Sequence, residues 1–181
     1  MSNVEPWLRG PLPGIPAVLQ PAAHAFVLAR EDVTIAVDGL APELLWLAPG
    51  SIPTLGFHLA HLAGSTDRLL TYAKGQALSE KQREILAFER TLTEARPPLS
   101  QLVSSWNAVV EGALRQLAET PEASLTDQRV VGRAQLPSTV LGLLFHAAEH
   151  AARHTGQIVT TAKLVRGLAN PASNRPTEGP Q

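Results

Sequence analysis

Apolar residues recur at helical spacing in four long stretches of this 181-residue chain. In the third stretch, for example, Leu102, Trp106 and Val110 are each about one helical turn apart. Trp106 is therefore expected in the hydrophobic core. The pattern predicts four long helices, over about residues 22–40, 54–74, 102–120 and 139–168.

The second long helix has clear signals at both ends. Ser51 or Thr54 can supply the side-chain oxygen that caps the first free backbone N–H groups. Gly75 is expected to end the helix, because glycine readily adopts the left-handed conformation that closes many helices. This helix carries His58 and His61 in its first two turns.

The connection between the second and third long helices contains a helical segment of its own. The run Ser79-Glu80-Lys81-Gln82 matches a capping box, so a polar helix should begin there and end before Pro97-Pro98. The connection from Pro121 to Pro137 is predicted as a loop with one short extended turn at residues 129–132. Ser138 is then expected to cap the last helix.

Proline content and helix order define the predicted domains. Five prolines in the first 21 residues exclude a long helix there but permit an ordered N-terminal arm, residues 1–21. Residues 22–169 are predicted to form an all-α four-helix bundle with one long crossover connection. The tail, residues 170–181, has three prolines and no large apolar residue, so it is predicted to be disordered.

Composition narrows the classes of function. Hydrophobic residues make up 44% of the chain, which suits one soluble globular domain. The 15 basic and 16 acidic side chains are mixed without a basic run, so nucleic-acid binding is not expected. The sequence has neither a membrane-spanning apolar run nor a signal peptide, and a cytoplasmic location is expected. Because cysteine is absent, a metal would have to bind imidazole, carboxylate or water.

Five of the six histidines lie in two clusters. His146, His150 and His154 follow one another at intervals of four in an alanine-rich helical segment, so their rings form one column on the helix surface. Adjacent members of such a column can bind one metal ion, and a stable site usually needs a third ligand from elsewhere. The other cluster, His58 and His61, can supply that ligand.

Each histidine also has a structural interpretation. A lone histidine on an apolar helix face is more often a hydrogen-bonded core residue than a ligand. The joint pattern of five histidines favours a metal site, whereas His24, outside both clusters, is interpreted as structural or exposed. Spacing alone does not choose between His58 and His61, and it does not exclude His146 as a ligand.

Two segments, 57–63 (FHLAHLA) and 149–158 (EHAARHTGQI), make the chain similar to the DinB/YfiT-like superfamily of metalloenzymes, which are four-helix bundles. In that superfamily, one histidine of the second helix and a His-x-x-x-His pair of the last helix bind the metal. The pair runs into a Gly-Gln sequence. The resemblance therefore implies that His61, His150 and His154 bind a divalent transition metal such as zinc, nickel or iron.

The residues around this implied centre also have expected roles. The resemblance places His58 and His146 next to the ligands, as supporting or substrate-facing groups. Gln157 lies one turn beyond His154 and could hydrogen-bond a ligand or the substrate. Thr155 stands where superfamily members usually have arginine, so no contact with an anionic substrate is inferred at that position.

The resemblance implies an activity class. Some members are thiol S-transferases or thiol-dependent isomerases, so metal activation of a low-molecular-weight thiol is implied. A hydrolase is equally compatible with three histidine ligands. The alternative from another class is a non-catalytic helical module that binds a metal or small molecule, or a damage-response accessory protein that dimerises through exposed helix faces. A homodimer is possible in either case.

Four further residues are candidate auxiliaries of the implied site: Asp67, Arg68, Glu149 and Arg153. Glu149 and Arg153 are four residues apart on one helix, however, and a solvent-facing salt bridge is the preferred interpretation of that pair.

Overall fold

The computed structural model describes residues 4–170, and this part of the chain is mostly helical. Its helices are α1 (Gln20–Val37), α2 (Leu55–Ala73), α3 (Glu80–Phe88), α4 (Leu92–Ala95), α5 (Leu99–Glu119) and α6 (Val140–Ala169). Its two strands are β1 (Gln128–Val131) and β2 (Leu136–Thr139). Short 3₁₀ turns lie at Pro6–Leu8, Ala17–Leu19, Pro42–Trp46 and Glu122–Ser124.

The four long helices, α1, α2, α5 and α6, pack around one hydrophobic core. Helices α1 and α2 each contact both α5 and α6, so each long helix has two long neighbours. The large side chains of Phe26, Leu59, Trp106 and Leu144 are fully buried in this core. The predicted core position of Trp106 is thus confirmed. Complete burial of large apolar side chains contributes about 1.5–3 kcal/mol each.

Residues 4–19 lie against α1 and are held there by polar contacts. The Arg9 guanidinium donates two hydrogen bonds to the carboxylate of Glu31, at 2.6 and 2.8 Å. Nε2 of His24 lies 3.0 Å from the carbonyl oxygen of Gly10. His24 therefore has a structural contact, in agreement with its interpretation from the sequence.

Helix α1 is displaced from its predicted range. It begins at Gln20, two residues earlier than expected, because Pro21 fits the first helical turn, where its missing N–H is not needed. It ends at Val37 rather than near Leu40, since the backbone of Asp38 leaves the helical region (φ −59°, ψ 129°). Leu40 still belongs to the core.

Both predicted ends of α2 are confirmed. The side chain of Thr54, rather than Ser51, caps the helix by accepting a hydrogen bond from the backbone N–H of Phe57 at 3.2 Å. The helix ends at Ala73, and Gly75 has the left-handed conformation (φ 72°) expected of a residue that closes a helix.

The crossover between α2 and α5 contains two helices instead of one. The predicted capping box is present, because Ser79 and Gln82 exchange hydrogen bonds of 2.9 and 3.1 Å. Helix α3 ends at Phe88, however, and the separate helix α4 precedes Pro97. The prediction of one helix extending towards the prolines was wrong, because the chain turns between the two helices.

The connection between α5 and α6 is a β-hairpin. Strand β1 includes most of the predicted extended turn, and it pairs with β2 in the register Gln128 to Thr139 and Arg129 to Ser138. Ser138 lies within β2, one residue before the cap of α6. Thr139 is the cap, and its side chain accepts a hydrogen bond from the N–H of Gly142 at 3.0 Å.

No helix within residues 4–170 is long and apolar enough to cross a membrane. The predicted disordered tail, apart from Asn170, lies outside the described residues, as do the first three residues of the predicted arm.

Candidate metal centre

Helices α2 and α6 bring the two histidine clusters together. The face of α2 that enters the core contains Leu55, Leu59 and Leu62, and His58 and His61 lie beside it. On α6 the buried residues within the histidine segment, positions 146–155, are small: Ala147, Ala148, Ala151 and Thr155. Because small side chains allow two helices to approach closely, the histidines at the edge of this contact can meet.

Three imidazole rings converge between these helices. One ring nitrogen from each of His61, His150 and His154 lies within 4.8 Å of the other two. The ring centroids of His61 and His154 are 4.7 Å apart, and those of His150 and His154 are 4.5 Å apart. The structure thus brings together the residues implied as ligands, from positions about 90 residues apart in sequence.

Two ring nitrogens in the cluster have no partner within the described part of the chain. Nε2 of His150 and Nδ1 of His154 are shielded from solvent and form no hydrogen bond there. A buried polar atom without a partner is costly, typically by about 1–3 kcal/mol. A metal ion is a partner that would satisfy these lone pairs, so the donor set fits a divalent ion that prefers nitrogen ligands.

Burial favours the neutral form of the two histidines on α6, His150 and His154. It lowers the pKa of His154 to about 4, and the neighbouring rings of His61, His150 and His58 add to that effect. Burial also lowers the pKa of His150, with His61 and His146 contributing. Since only a neutral imidazole has a lone pair for a metal, these rings are suited to metal binding at neutral pH.

The third ring, His61, has a polar partner that the sequence did not indicate. Its Nδ1 lies 2.8 Å from Oε2 of Glu89, the residue that follows α3. The other carboxylate oxygen of Glu89, Oε1, accepts a hydrogen bond of 2.6 Å from Nη1 of Arg68 on α2. Glu89 and Arg68 are both buried.

The carboxylate of Glu89 is held in its charged form. Burial by itself raises the pKa of Glu89, but hydrogen bonds from His61 and Arg68 outweigh it and hold the pKa below its usual value. The sequence suggested Arg68 as an auxiliary residue of the site. Arg68 is connected to the histidine cluster indirectly, because it hydrogen-bonds Glu89, which in turn contacts His61. No local pattern pointed to Glu89, because its contact with His61 spans 28 residues and depends on how the crossover packs.

His58 and His146 lie on either side of the three central rings. The ring of His58 is 5.8 Å from that of His154, and its buried Nδ1 has no hydrogen-bond partner within residues 4–170. Burial, together with the nearby His61, lowers the pKa of His58. His146 continues the column on α6, with its ring 5.6 Å from that of His150 and its side chain half exposed.

The remaining candidates have mainly structural contacts. Glu149 and Arg153 form the salt bridge expected from their spacing, and Glu149 also lies 3.2 Å from Nδ1 of His146. Asp67 accepts a hydrogen bond from Gln82 and so connects α2 to α3. Gln157 is exposed on α6.

One aromatic side chain packs against His61. Phe57 on α2 stacks on the ring of His61, with centroids 5.6 Å apart and planes within 6° of parallel. This contact and the hydrogen bond to Glu89 limit the orientations that His61 can adopt.

Comparison with known proteins assigns the region that contains the histidine cluster to a protein family. The sequence model of the DinB superfamily matches residues 25–158, which is well over half of the chain. The matched region includes His61, Glu89, His150 and His154. None of the curated proteins compared with the chain matches it.

Proposed function

Since the chain belongs to the DinB superfamily, we propose that it is a metal-dependent enzyme whose centre is formed by His61, His150 and His154. The observation that supports this most strongly is the convergence of one nitrogen from each ring within 4.8 Å. The buried nitrogens of His150 and His154, which form no hydrogen bond within residues 4–170, support it further. We also propose that the four long helices form the four-helix bundle typical of the superfamily.

The ligand set suits zinc, nickel or iron, and carries no thiolate or carboxylate that would favour another class of metal. A divalent ion bound by three imidazoles would supply Lewis acidity to an oxygen or sulfur group of the substrate. The protein supplies the positions of the three rings and shields one nitrogen each of His150 and His154 from solvent.

We propose that His58 and His146 contact the substrate. Among the described residues, the buried Nδ1 of His58 has no hydrogen-bond partner, and a polar substrate atom could satisfy it. His146 is half exposed, so a substrate can reach its ring from solvent. Gln157 is proposed to contribute a hydrogen bond from the same face of α6.

We propose a low-molecular-weight thiol as the nucleophilic substrate, in an S-transferase-like reaction with an electrophile. A hydrolase-like reaction uses the same three ligands and is the second reaction class to assay. The homodimer and the cytoplasmic location expected from the sequence stay predictions.

The test is turnover by protein reconstituted with Zn²⁺, Ni²⁺ or Fe²⁺. We expect consumption of a small thiol together with an electrophile, or of an activated ester, that depends on the metal and is lost in His150→Ala. His24→Ala is the matched control, because His24 lies on α1 outside the cluster and its variant should keep the activity. Metal binding without turnover of either substrate class would instead indicate the non-catalytic binding module.

A further inference from the structure

We propose that Glu89 is a positioning residue for the metal centre, which fixes the orientation and the tautomer of His61, and that Arg68 holds Glu89 in place for this purpose. The inference rests on the proposed metal centre and assigns it three supporting residues, Glu89, Arg68 and Gly64. None of the three is a proposed ligand.

The hydrogen bonds define the role of Glu89. An ionised carboxylate can only accept, so Nδ1 of His61 must carry the proton that it donates to Oε2, over 2.8 Å. In a neutral ring, Nε2 of His61 is then left with a free lone pair. A metal-binding histidine usually has its second nitrogen fixed in this way by a carboxylate or carbonyl oxygen.

The geometry of the carboxylate separates this role from that of an ordinary salt bridge. An arginine and a carboxylate commonly pair through two parallel hydrogen bonds, as Arg9 and Glu31 do. The two oxygens of Glu89 instead have different partners: Oε1 accepts a hydrogen bond from Arg68, and Oε2 contacts Nδ1 of His61. Arg68 thus balances the buried negative charge and leaves one oxygen free for the histidine.

Gly64 on α2 provides the space for this arrangement. A Cβ atom at position 64 would lie 2.6 Å from Oε1 of Glu89 and 2.9 Å from Nη1 of Arg68. Both distances are shorter than any normal contact, so a side chain there must displace the pair. Glycine in the interior of a helix is otherwise unfavourable, and the close approach of Glu89 gives it a physical reason.

These contacts also connect the crossover to the centre. Glu89 directly follows α3, whereas His61 and Arg68 lie on α2, so the end of α3 is held at the metal site by two hydrogen bonds. The crossover therefore contributes to the chemistry of His61 without contributing a ligand.

The affinity for Zn²⁺ alone, measured by competition with a chromophoric chelator, tests the role of these residues. We expect Glu89→Gln to bind Zn²⁺ about 10- to 100-fold more weakly than the native protein, which is the usual effect of losing such a partner. Gly64→Ala should weaken binding in the same direction, because it displaces the carboxylate. The matched controls are Glu31→Gln, which removes the carboxylate that pairs with Arg9, and Gly112→Ala, where a Cβ meets no atom within 4 Å. Both controls should bind Zn²⁺ as the native protein does.

A second readout requires no variant that might unfold. The ¹⁵N shifts of the His61 ring in metal-free native protein, at a pH where the ring is neutral, report which nitrogen is protonated. We expect the proton on Nδ1, and a mixture of tautomers in Glu89→Gln, because a glutamine can present either an acceptor or a donor. A proton on Nε2 in the native protein would overturn the positioning role.

His61→Ala separates this inference from the proposed function. If the native protein binds Zn²⁺ and His61→Ala does not, but Glu89→Gln binds as tightly as the native protein, the metal centre stands and the role of Glu89 is wrong. If the native protein binds no Zn²⁺ at all, both proposals are overturned.

Discussion

The chemistry of each histidine in this protein depends on what surrounds its two nitrogens. The rings of His61, His150 and His154 lie close together, yet only His61 has a carboxylate partner within residues 4–170. Sequence spacing was enough to identify the two histidine clusters, because residues three or four apart on a helix lie on the same face. It could not reveal Glu89, since a contact between distant elements leaves no periodic pattern in the sequence.

The lowered pKa of His154 predicts a specific dependence of stability on pH in metal-free protein. Its folded pKa is about 4, below the ordinary value of 6.5, so the unfolded chain binds a proton between these pH values and the folded chain does not. The stabilisation is therefore complete above about pH 6.5 and is lost as the pH falls towards 4, by about 3 kcal/mol from this residue. The lowered pKa values of His58 and His150 act in the same direction.

Urea unfolding at pH 7.5 and pH 4.5, with a chelator present, measures this dependence. Between pH 7.5 and pH 4.5, the free energy of unfolding should decrease clearly less in His154→Gln than in the native protein, because glutamine does not titrate. An unchanged pH dependence in His154→Gln would contradict the assignment of the effect to this ring.

At the level of helices and strands, the regular hydrophobic pattern predicted the four long helices, and the boundaries depended on local contacts. Thr54 and the Ser79 capping box could be identified in the sequence, because a cap acts within one helical turn. Strand β2 could not, since it contains a proline and depends on pairing with β1. The cap of α6 was consequently predicted one residue too early, at Ser138 instead of Thr139.

The cap of α6 can be tested by a pair of neighbouring substitutions. Thr139→Ala should lower the free energy of unfolding by about 1 kcal/mol, because it removes the acceptor for the N–H of Gly142. Ser138→Ala is the control, and it should change stability by less than half of that amount. Denaturant unfolding of both variants gives the comparison, and a larger loss in Ser138→Ala would show that the cap is wrongly assigned.

A close contact at the start of α2 predicts opposite effects for two glycine substitutions. A Cβ at Gly56 would lie 2.5 Å from the ring of Trp46, in the 3₁₀ turn before α2, whereas a Cβ at Gly112 on α5 meets no atom within 4 Å. Gly56→Ala should destabilise the protein by about 1–3 kcal/mol through overpacking. Gly112→Ala should stabilise it by about 0.5–1 kcal/mol, because alanine is the better helix former.

Thermal or denaturant unfolding of the two glycine variants measures these effects. Equal effects of Gly56→Ala and Gly112→Ala would mean that Trp46 does not pack against Gly56 as described.

The whole molecule assembles a site that no single segment contains. His61 comes from α2, His150 and His154 come from α6, and Glu89 comes from the crossover between α2 and α5. The order of the helices and the resemblance to the DinB superfamily could be inferred from the sequence, and the family match confirms the latter. The way in which the crossover packs at the centre required the structure.

The central claim is that these histidines hold one metal ion together. Its most direct test is the metal content of the native protein after incubation with Zn²⁺ and removal of free ion, measured by plasma mass spectrometry. The same measurement is made on His61→Ala, His150→Ala, His154→Ala and the control His24→Ala. We predict about one equivalent per chain in the native protein and the control, and a nearly complete loss in each of the other three, because removing one ligand disrupts a shared site. Retention of a full equivalent in any of these three, or no metal in the native protein, would contradict the claim.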